Sequence, residues 1–211
     1  MESCCALGNI VNEERILFQT DNFFIAPTKG PIGIRGYLLI CSKQHFEGIG
    51  GTPETYYKEL EENLKKTKKI LSETYNSKVI VFEHGPKIGC FKGGGCFDHA
   101  HLHVLPVATN VMIPLIKNLL NALEIRDYYN VERMDKFNRL NEIHDQQESS
   151  YFFTETNDGK RYLTNVNFTL PSQYIRQILA FSLKRQNWDW RIHPDYQTLN
   201  KTLDDLENKF K

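Results

Sequence analysis

The chain has 211 residues, of which 40% are hydrophobic and 12% aromatic, so it is long enough to bury a core of ordinary domain size. Lysine plus arginine and aspartate plus glutamate each number 26, and this zero net charge argues against nucleic acid or an anionic membrane as a partner. No apolar run reaches the roughly 18 residues that span a bilayer, and the N-terminus lacks a signal-peptide pattern. Five scattered cysteines are typical of reduced thiols, so we expect a soluble, cytoplasmic protein.

The first half of the chain predicts strands around one long helix. Thr52, Pro53 and Glu54 are typical of a helix start, with Thr52 as the capping residue and proline at the first helical position. The apolar positions that follow continue this helix to about Tyr75. The elements expected in chain order are strands at 15–18, 22–26 and 37–41, a helix from 52 to about 75, and a buried strand at 79–82.

A glycine-rich loop and a histidine-rich strand follow. Residues 85–95 contain five glycines and predict a loop, and His99–Val104 then carries histidine at every second position. Because side chains alternate between the two faces of a strand, the three histidines would share one face, roughly 6.5–7 Å apart, and the apolar residues between them would share the other. We expect Pro106 to end this strand.

The second half predicts helices and one β-hairpin. Asn157–Gly159 is a typical hairpin turn between two aromatic strand segments. Gln173 and Arg176 could line a cleft, but we favour a place on the solvated face of a helix. Trp188 and Trp190 are expected to anchor the C-terminal segment. The elements expected are helices at 111–123, 132–141 (polar and exposed), 171–183 and 195–211, and strands around 151–153 and 162–163.

These elements predict an α+β fold with a largely antiparallel sheet and a long helix. We place the boundary between a domain at 1–106 and a C-terminal extension at 107–211, and the two halves could share one core.

The row of histidines can bind one phosphate or one metal ion. A neutral imidazole can attack phosphorus and form a covalent phosphoramidate, which divides one displacement into two easier steps. Backbone N–H groups of Gly93–Gly95 could then bind the developing negative charge, and Lys92 or Lys87 could add positive charge.

Zinc binding is the alternative for the same strand. Two histidines separated by one residue are common zinc ligands, and His84, His45 or a cysteine could supply a third ligand. Cys4 and Cys5 could belong to a separate structural zinc site, although adjacent cysteines chelate one ion poorly. We favour phosphate chemistry, because the glycine-rich loop directly precedes the histidines.

The segment His99–Leu105 matches the pattern His-φ-His-φ-His-φ-φ, where φ is apolar, at every position, and in this it resembles the histidine triad family. The resemblance covers roughly residues 4–106. It implies a histidine-triad-like fold in which His101 is the nucleophile on the α-phosphorus of a nucleotide. It also implies that His99 and His103 orient His101, contact phosphate and help the leaving group.

The resemblance implies further site residues and also shows where this chain departs from the family. Many members carry glutamine and serine or threonine where this chain has Gly95 and Cys96, asparagine where it has Glu83, and histidine where it has Tyr37. Cys96 is only a weak hydrogen-bond donor. The substrate-binding residues expected are Glu83, His84, Lys92, Gly94, Gly95 and Cys96.

The sequence therefore predicts a nucleotide-binding hydrolase or nucleotidyltransferase. The resemblance implies a nucleoside phosphoramidate, a dinucleoside polyphosphate or a similar conjugate as substrate. No cofactor is required, although magnesium could accompany a polyphosphate, and the family allows a homodimer. The alternatives are a non-catalytic nucleotide-binding module and a metal-dependent enzyme that uses the histidine strand as ligands.

Overall fold

An eight-stranded sheet organises the chain. The computed structural model describes residues 14–85, 99–107, 132–134, 136–145, 150–156, 159–166 and 173–211. The strands are β1 (Phe18–Gln19), β2 (Phe23–Pro27), β3 (Leu38–Ser42), β4 (Lys78–Gly85), β5 (His101–Val107), β6 (Glu132–Met134), β7 (Ser150–Glu155) and β8 (Arg161–Val166). They lie in the order β1-β2-β3-β5-β4-β7-β8-β6, and every pairing is antiparallel.

Helices complete the described part of the chain. They are α1 (Tyr57–Tyr75), α2 (Asn138–Asp145), α3 (Tyr174–Ser182) and α4 (Tyr196–Leu206), and two short 3-10 turns lie at Ile49–Gly51 and Glu54–Tyr56. None of the helices described here is long and apolar enough to cross a membrane. The predicted α+β class, with a largely antiparallel sheet and one long helix, is confirmed.

The sheet is covered on both faces, and β5 lies near its centre. Ala100, Leu102 and Val104 belong to a core with α1, which confirms that these residues share the apolar face. Leu39 and Phe82, from the strands on either side, belong to a second core with α3 on the other face. The side chains that alternate with the apolar ones along β5 therefore point into the core under α3.

The long helix begins later than predicted. Thr52 does not cap it: the Thr52 hydroxyl donates to the carbonyl of Ile49, a 3-10 turn follows, and α1 starts at Tyr57. The predicted end at Tyr75 is confirmed, and Asn76 closes the helix with a left-handed backbone (φ 45°).

The expectation that Pro106 ends the histidine strand is wrong. Strand β5 continues through Pro106 to Val107, with Pro106 opposite Val79 on β4. The pairing of β5 with β3 ends at Leu38 and Val104, so Pro106 lies where β5 has only β4 as a partner. A residue without an N–H costs less at such a position than between two paired strands.

The predicted exposed helix at 132–141 is confirmed only from Asn138 onward, and its first part and its exposure are wrong. Residues 132–134 form β6 on β8, and α2 begins only at Asn138. Phe137 and Leu140 are fully buried, and the Phe137 ring lies 5.4 Å from the ring of Phe153. These two apolar residues bind the segment to the core, which outweighs the polar composition around them.

The remaining predictions for the second half concern the hairpin and the C-terminal helices. The hairpin is confirmed as β7 and β8, and helices are confirmed at α3 and α4, although α4 ends at Leu206. The predicted helix at 111–123 lies outside the described residues. Strand β7 pairs with β4, so the sheet runs across the predicted domain boundary, which stays a prediction.

Phe153→Ala should test whether the second half stabilises the common sheet. Phe153 is fully buried on β7, opposite Glu83 of β4, so we expect the variant to lose about 3–5 kcal/mol of unfolding free energy. Urea unfolding should remain a single transition. Phe181→Ala is the matched control because Phe181 is 60% exposed, and its effect should stay within about 0.5 kcal/mol. Two separate transitions, with Phe153→Ala changing only one, would contradict the common core.

Candidate active site

The candidate site lies where β5 begins, on the face covered by α3. His101 is opposite Cys41 of β3, and His103 is opposite Leu39 of β3 and Phe82 of β4. The His103 ring stacks on the Phe82 ring, with centroids 4.5 Å apart. All three histidines are buried, with exposed fractions of 2–6%. Buried imidazoles need hydrogen-bond partners, and these are supplied by the backbone and by one another.

A chain of hydrogen bonds connects the buried rings. The hydroxyl of Tyr37 lies 2.9 Å from Nδ1 of His103, and Nε2 of His103 lies 3.1 Å from Nε2 of His101. Nδ1 of His101 lies 2.7 Å from the carbonyl oxygen of His99. The two rings are 4.7 Å apart between centroids, closer than the strand repeat predicts, because the side chains lean toward each other.

The carbonyl of His99, at one end of this series of hydrogen bonds, determines which ring nitrogens of His101 and His103 carry a hydrogen. A carbonyl oxygen can only accept, so Nδ1 of His101 carries a hydrogen, and in a neutral ring Nε2 of His101 then has a lone pair. His103 must therefore donate its Nε2–H to that lone pair, and its Nδ1 must accept from the Tyr37 hydroxyl. The arrangement places the nucleophilic atom of His101 beside the N–H of His103.

Burial keeps both rings neutral. Burial is the main cause that lowers the pKa of His101 to about 4; electrostatic repulsion from His99 and Arg176 adds to it, and the hydrogen bond to the His99 carbonyl opposes it. Burial, followed by electrostatic repulsion from His101 in its protonated form and from Arg176, holds the pKa of His103 well below its usual range. A neutral imidazole is the form that can attack phosphorus, and at pH 7 both rings have this form.

His99 lies just before β5 and has a different set of neighbours. Its Nε2–H donates to the carbonyl of Ser42 at 2.6 Å, with the Ser42 hydroxyl 3.2 Å away. Its ring meets the ring of His45 edge-on at 5.4 Å. His99 therefore orients His101 through its own carbonyl, while its imidazole is held against β3.

Of the predicted substrate-binding residues, the structure brings His84 to the histidines. His84 lines a cavity of about 10 Å³ with His101 and His103, and the N-terminal turn of α3 closes the other side. That volume holds about one water molecule. A cleft of about 680 Å³ lies elsewhere and contains no histidine of β5; it is lined by residues 32–33, 184–187 and 192–195. The predicted residues Lys92, Gly94, Gly95 and Cys96 lie outside the described residues, as do Lys87, Cys4 and Cys5.

Glu83 is not brought to the histidines. Its carboxylate accepts from the backbone N–H of Ile49 and from the Tyr151 hydroxyl, both at 2.7 Å, on the face of β4 opposite to Phe82. Burial raises the pKa of Glu83 to about 8 against the lowering effect of these two hydrogen bonds. The role of Glu83 as a substrate contact stays a prediction that this placement does not favour.

Tyr37, Gln173 and Arg176 are residues of the site region that sequence reasoning missed or misplaced. The expectation of a solvated face for Gln173 and Arg176 is wrong, because both side chains are only 1% exposed. Gln173 lines the small cavity and donates to Asp189 at 2.7 Å. The segment after α3 folds back over these residues, and no local periodicity signals that. Tyr37 carried a signal, since it stands where many histidine triad proteins have histidine.

The described residues contain no group of three or more histidine, cysteine or acidic side chains that could hold a metal ion. The zinc alternative that joins His84, His45 or a cysteine to the histidine strand therefore gains no support from the part of the chain the structure describes.

His101 should remain neutral at mildly acidic pH. At pH 5.5 an imidazole with the usual pKa of about 6.5 is about 90% protonated, whereas His101 should be almost fully neutral. Nitrogen-15 NMR of the histidine rings measures this directly. Because the unfolded chain takes up a proton near pH 6.5 before the folded chain does, His101 should also lower the unfolding free energy as pH falls from about 6.5 toward 4. Half-protonation of His101 near pH 6.5 would contradict its burial.

Glu83→Gln should change how stability depends on pH. The pKa of Glu83 is raised in the fold, so its stabilising contribution is complete below about pH 4.5 and is lost as pH rises through about 8. An amide cannot ionise, so the variant should gain stability relative to wild type between pH 5 and pH 8, as measured by urea midpoints. Glu73→Gln, on the exposed side of α1, is the control and should not alter the profile. Parallel profiles for wild type and Glu83→Gln would show that Glu83 is already ionised in the fold.

Comparisons with known proteins identify structural relatives only. No protein-family model and no curated protein sequence matches the chain. The solved structures that resemble it include a HIT-like protein involved in cell-cycle regulation from Bartonella henselae, solved with an unknown ligand. It is 13% identical, with a TM-score of 0.40, over 49% of this chain and 73% of the other.

Two further structures resemble the chain to a similar degree. A hypothetical histidine triad nucleotide-binding protein from Sulfolobus tokodaii strain 7 is 20% identical, with a TM-score of 0.40, over 50% of this chain and 68% of the other. A zinc-bound histidine triad family protein from Mycobacterium smegmatis is 16% identical, with a TM-score of 0.41, over 68% and 92%. At this identity and TM-score the likeness indicates no activity and no substrate. All three structures are named as HIT-like or histidine triad proteins, and the segment His99–Leu105 resembles the motif of the same family.

Proposed function

We propose that the chain is a histidine triad enzyme, a nucleotide hydrolase or nucleotidyltransferase in which Nε2 of His101 attacks the α-phosphorus of a nucleotide conjugate. The observation that carries this proposal is the hydrogen bond from Nδ1–H of His101 to the carbonyl of His99. It leaves the lone pair on Nε2, on the side of the ring that faces His103 and the small cavity. The low pKa of His101 keeps this lone pair available at neutral pH.

The first step transfers the nucleotidyl group to the protein. The Nε2 lone pair of His101 forms a bond to phosphorus, and the bond from phosphorus to the leaving group breaks. The leaving group departs with the bonding electron pair and takes the proton that Nε2–H of His103 presents, 3.1 Å from the attacking nitrogen. The product is a nucleotidyl phosphoramidate on His101.

The second step releases the nucleotide. Water, or an acceptor phosphate, attacks phosphorus, and the bond from phosphorus to His101 Nε2 breaks, which returns the electron pair to the imidazole. When water attacks, it gives one proton to His103, and the site returns to its starting state. A phosphate acceptor that carries one proton on oxygen gives that proton to His103 in the same way, so hydrolysis and transfer then differ only in the acceptor.

The chemistry of the site favours a substrate with a phosphorus–nitrogen or phosphoanhydride bond, such as a nucleoside phosphoramidate or a dinucleoside polyphosphate. The nucleophile is a neutral imidazole and requires no metal to lower its pKa. Magnesium could accompany a polyphosphate substrate by binding its oxygens. Cytoplasmic location and a homodimer remain expectations from the sequence and from the family resemblance.

Intact-protein mass spectrometry after brief incubation with a panel of adenylated donors tests the proposal. Wild type should gain the mass of one nucleotidyl group in an acid-labile form, and His101→Ala should gain none and should lose at least about 10³-fold in turnover. His193→Ala is the matched control because His193 is exposed and distant in sequence from β5. It should behave as wild type.

The fold of His101→Ala must be checked in the same experiment. The substitution leaves Nε2–H of His103 without its acceptor, so a loss of about 1–3 kcal/mol in unfolding free energy is expected, and the folded state should persist. Full turnover by folded His101→Ala would overturn the covalent mechanism. Tight nucleotide binding by wild type, without product or adduct from any donor, would instead identify a binding module.

A further inference from the structure

In the proposed first step His103 gives a proton to the leaving group, and this proton must be replaced. His103 is neutral, and its one ring hydrogen lies on Nε2. Loss of that proton alone would leave an imidazolate anion in a buried site, which is a highly unfavourable species. A second proton must therefore reach Nδ1 of His103 as the first one leaves Nε2. The donor bonded to Nδ1 is the hydroxyl of Tyr37.

We propose that Tyr37 is the proton source for the leaving group and acts through the ring of His103. As the leaving group departs, the proton on Nε2 of His103 moves to it, and the phenol proton of Tyr37 moves to Nδ1. His103 stays neutral throughout, and Tyr37 becomes a phenolate. When water attacks the intermediate, its proton enters at Nε2 and the proton on Nδ1 returns to Tyr37. This inference rests on the proposed function, because the leaving group belongs to that reaction.

A buried cation beside Tyr37 would stabilise the phenolate. The guanidinium carbon of Arg176 lies 5.5 Å from the centroid of the Tyr37 ring, and the Arg176 side chain is only 1% exposed. Its described hydrogen-bond acceptors are all uncharged: the Thr28 hydroxyl at 3.5 Å and the carbonyl oxygens of Gly30 and Trp188. Nε of Arg176 is buried and has no acceptor among the residues that the structure describes. A nearby anion would therefore meet a positive charge that no carboxylate in the described residues neutralises.

The backbone around Tyr37 holds the hydroxyl in place. Gly36 has a φ of 82°, and a side chain there would overlap the ring of Tyr75. The N–H of Gly36 donates to the Thr202 hydroxyl, and the carbonyl of Tyr37 accepts from the N–H of Thr28. Tyr37 is fully buried, and its ring meets the ring of His103 at 5.7 Å between centroids. A proton donor fixed in this way needs little rearrangement when charge moves.

Tyr37→Phe removes the donor and keeps the ring, so it separates proton supply from packing. Single-turnover adduct formation should be measured with two adenylated donors: a phosphoramidate with an alkylamine leaving group, which must gain a proton, and a nitrophenyl ester, whose leaving group need not. We expect Tyr37→Phe to slow the first reaction by about 10²-fold and the second by less than about 5-fold. Tyr57→Phe is the matched control: Tyr57 is also buried and donates its hydroxyl to a carbonyl, that of Ile49, in the core on the opposite face of the sheet. It should leave both rates unchanged.

Nitrogen-15 NMR of the histidine rings supplies a reading that does not depend on activity. Wild-type His103 should carry its hydrogen on Nε2 and none on Nδ1, and in Tyr37→Phe the hydrogen should stay on Nε2 while the Nδ1 resonance shifts, because that nitrogen loses the hydrogen bond from the phenol. An Nδ1 resonance that does not shift in the variant, or equal slowing with both donors, would overturn the role of Tyr37 and leave the covalent mechanism standing. If wild type forms no adduct with either donor, the proposed function fails and the proton relay fails with it, whatever tautomer the spectra report.

Discussion

Burial of β5 on both faces is the constraint on which the rest of the structure depends. One face of this strand is apolar and packs on α1, and the hydrophobic effect stabilises this contact. The other face places imidazoles in a core under α3, where unsatisfied polar groups would be costly. Each ring must find partners inside the protein, and the partners available are a backbone carbonyl, the next ring and a tyrosine hydroxyl. The positions of the protons follow from that short set of partners.

The same burial links reactivity to stability. Removing water keeps His101 neutral and nucleophilic, but it also means that the fold tolerates no added charge at this point unless another charge balances it. Arg176 is a cation to which no carboxylate of the described residues is bonded, and it lies beside the ring of Tyr37. A bound phosphate would bring negative charge into the same region. The site is therefore organised electrostatically for an anion, even though the whole chain has zero net charge.

Sequence reasoning found the elements that local pattern determines and missed those that depend on distant contacts. Alternation at His99–Val104 was sufficient to assign the two faces of β5, and aromatic runs beside a turn were sufficient for the β7–β8 hairpin. The polar stretch at 132–141 led to the wrong prediction of an exposed helix, because burial of Phe137 depends on its contact with Phe153, which is distant in sequence. Arg176 was placed on a solvated face because nothing nearby in sequence shows that Trp188 covers it. The roles predicted for Lys92, Gly94, Gly95 and Cys96 concern residues that the structure does not describe.

Because β7 pairs with β4, a fragment that lacks the second half of the chain would have an unpaired strand at the edge of its sheet. Without the second half, β4 would be the border of the sheet, and a row of backbone N–H and C=O groups from Val81 to Gly85 would lose its partners. Tyr151 would also be gone, which leaves the carboxyl group of Glu83 without one of its two donors. The exposed edge of such a fragment could pair with strands of other chains and promote aggregation. Strand β7 therefore closes an edge of the sheet that would otherwise be open for pairing with another chain.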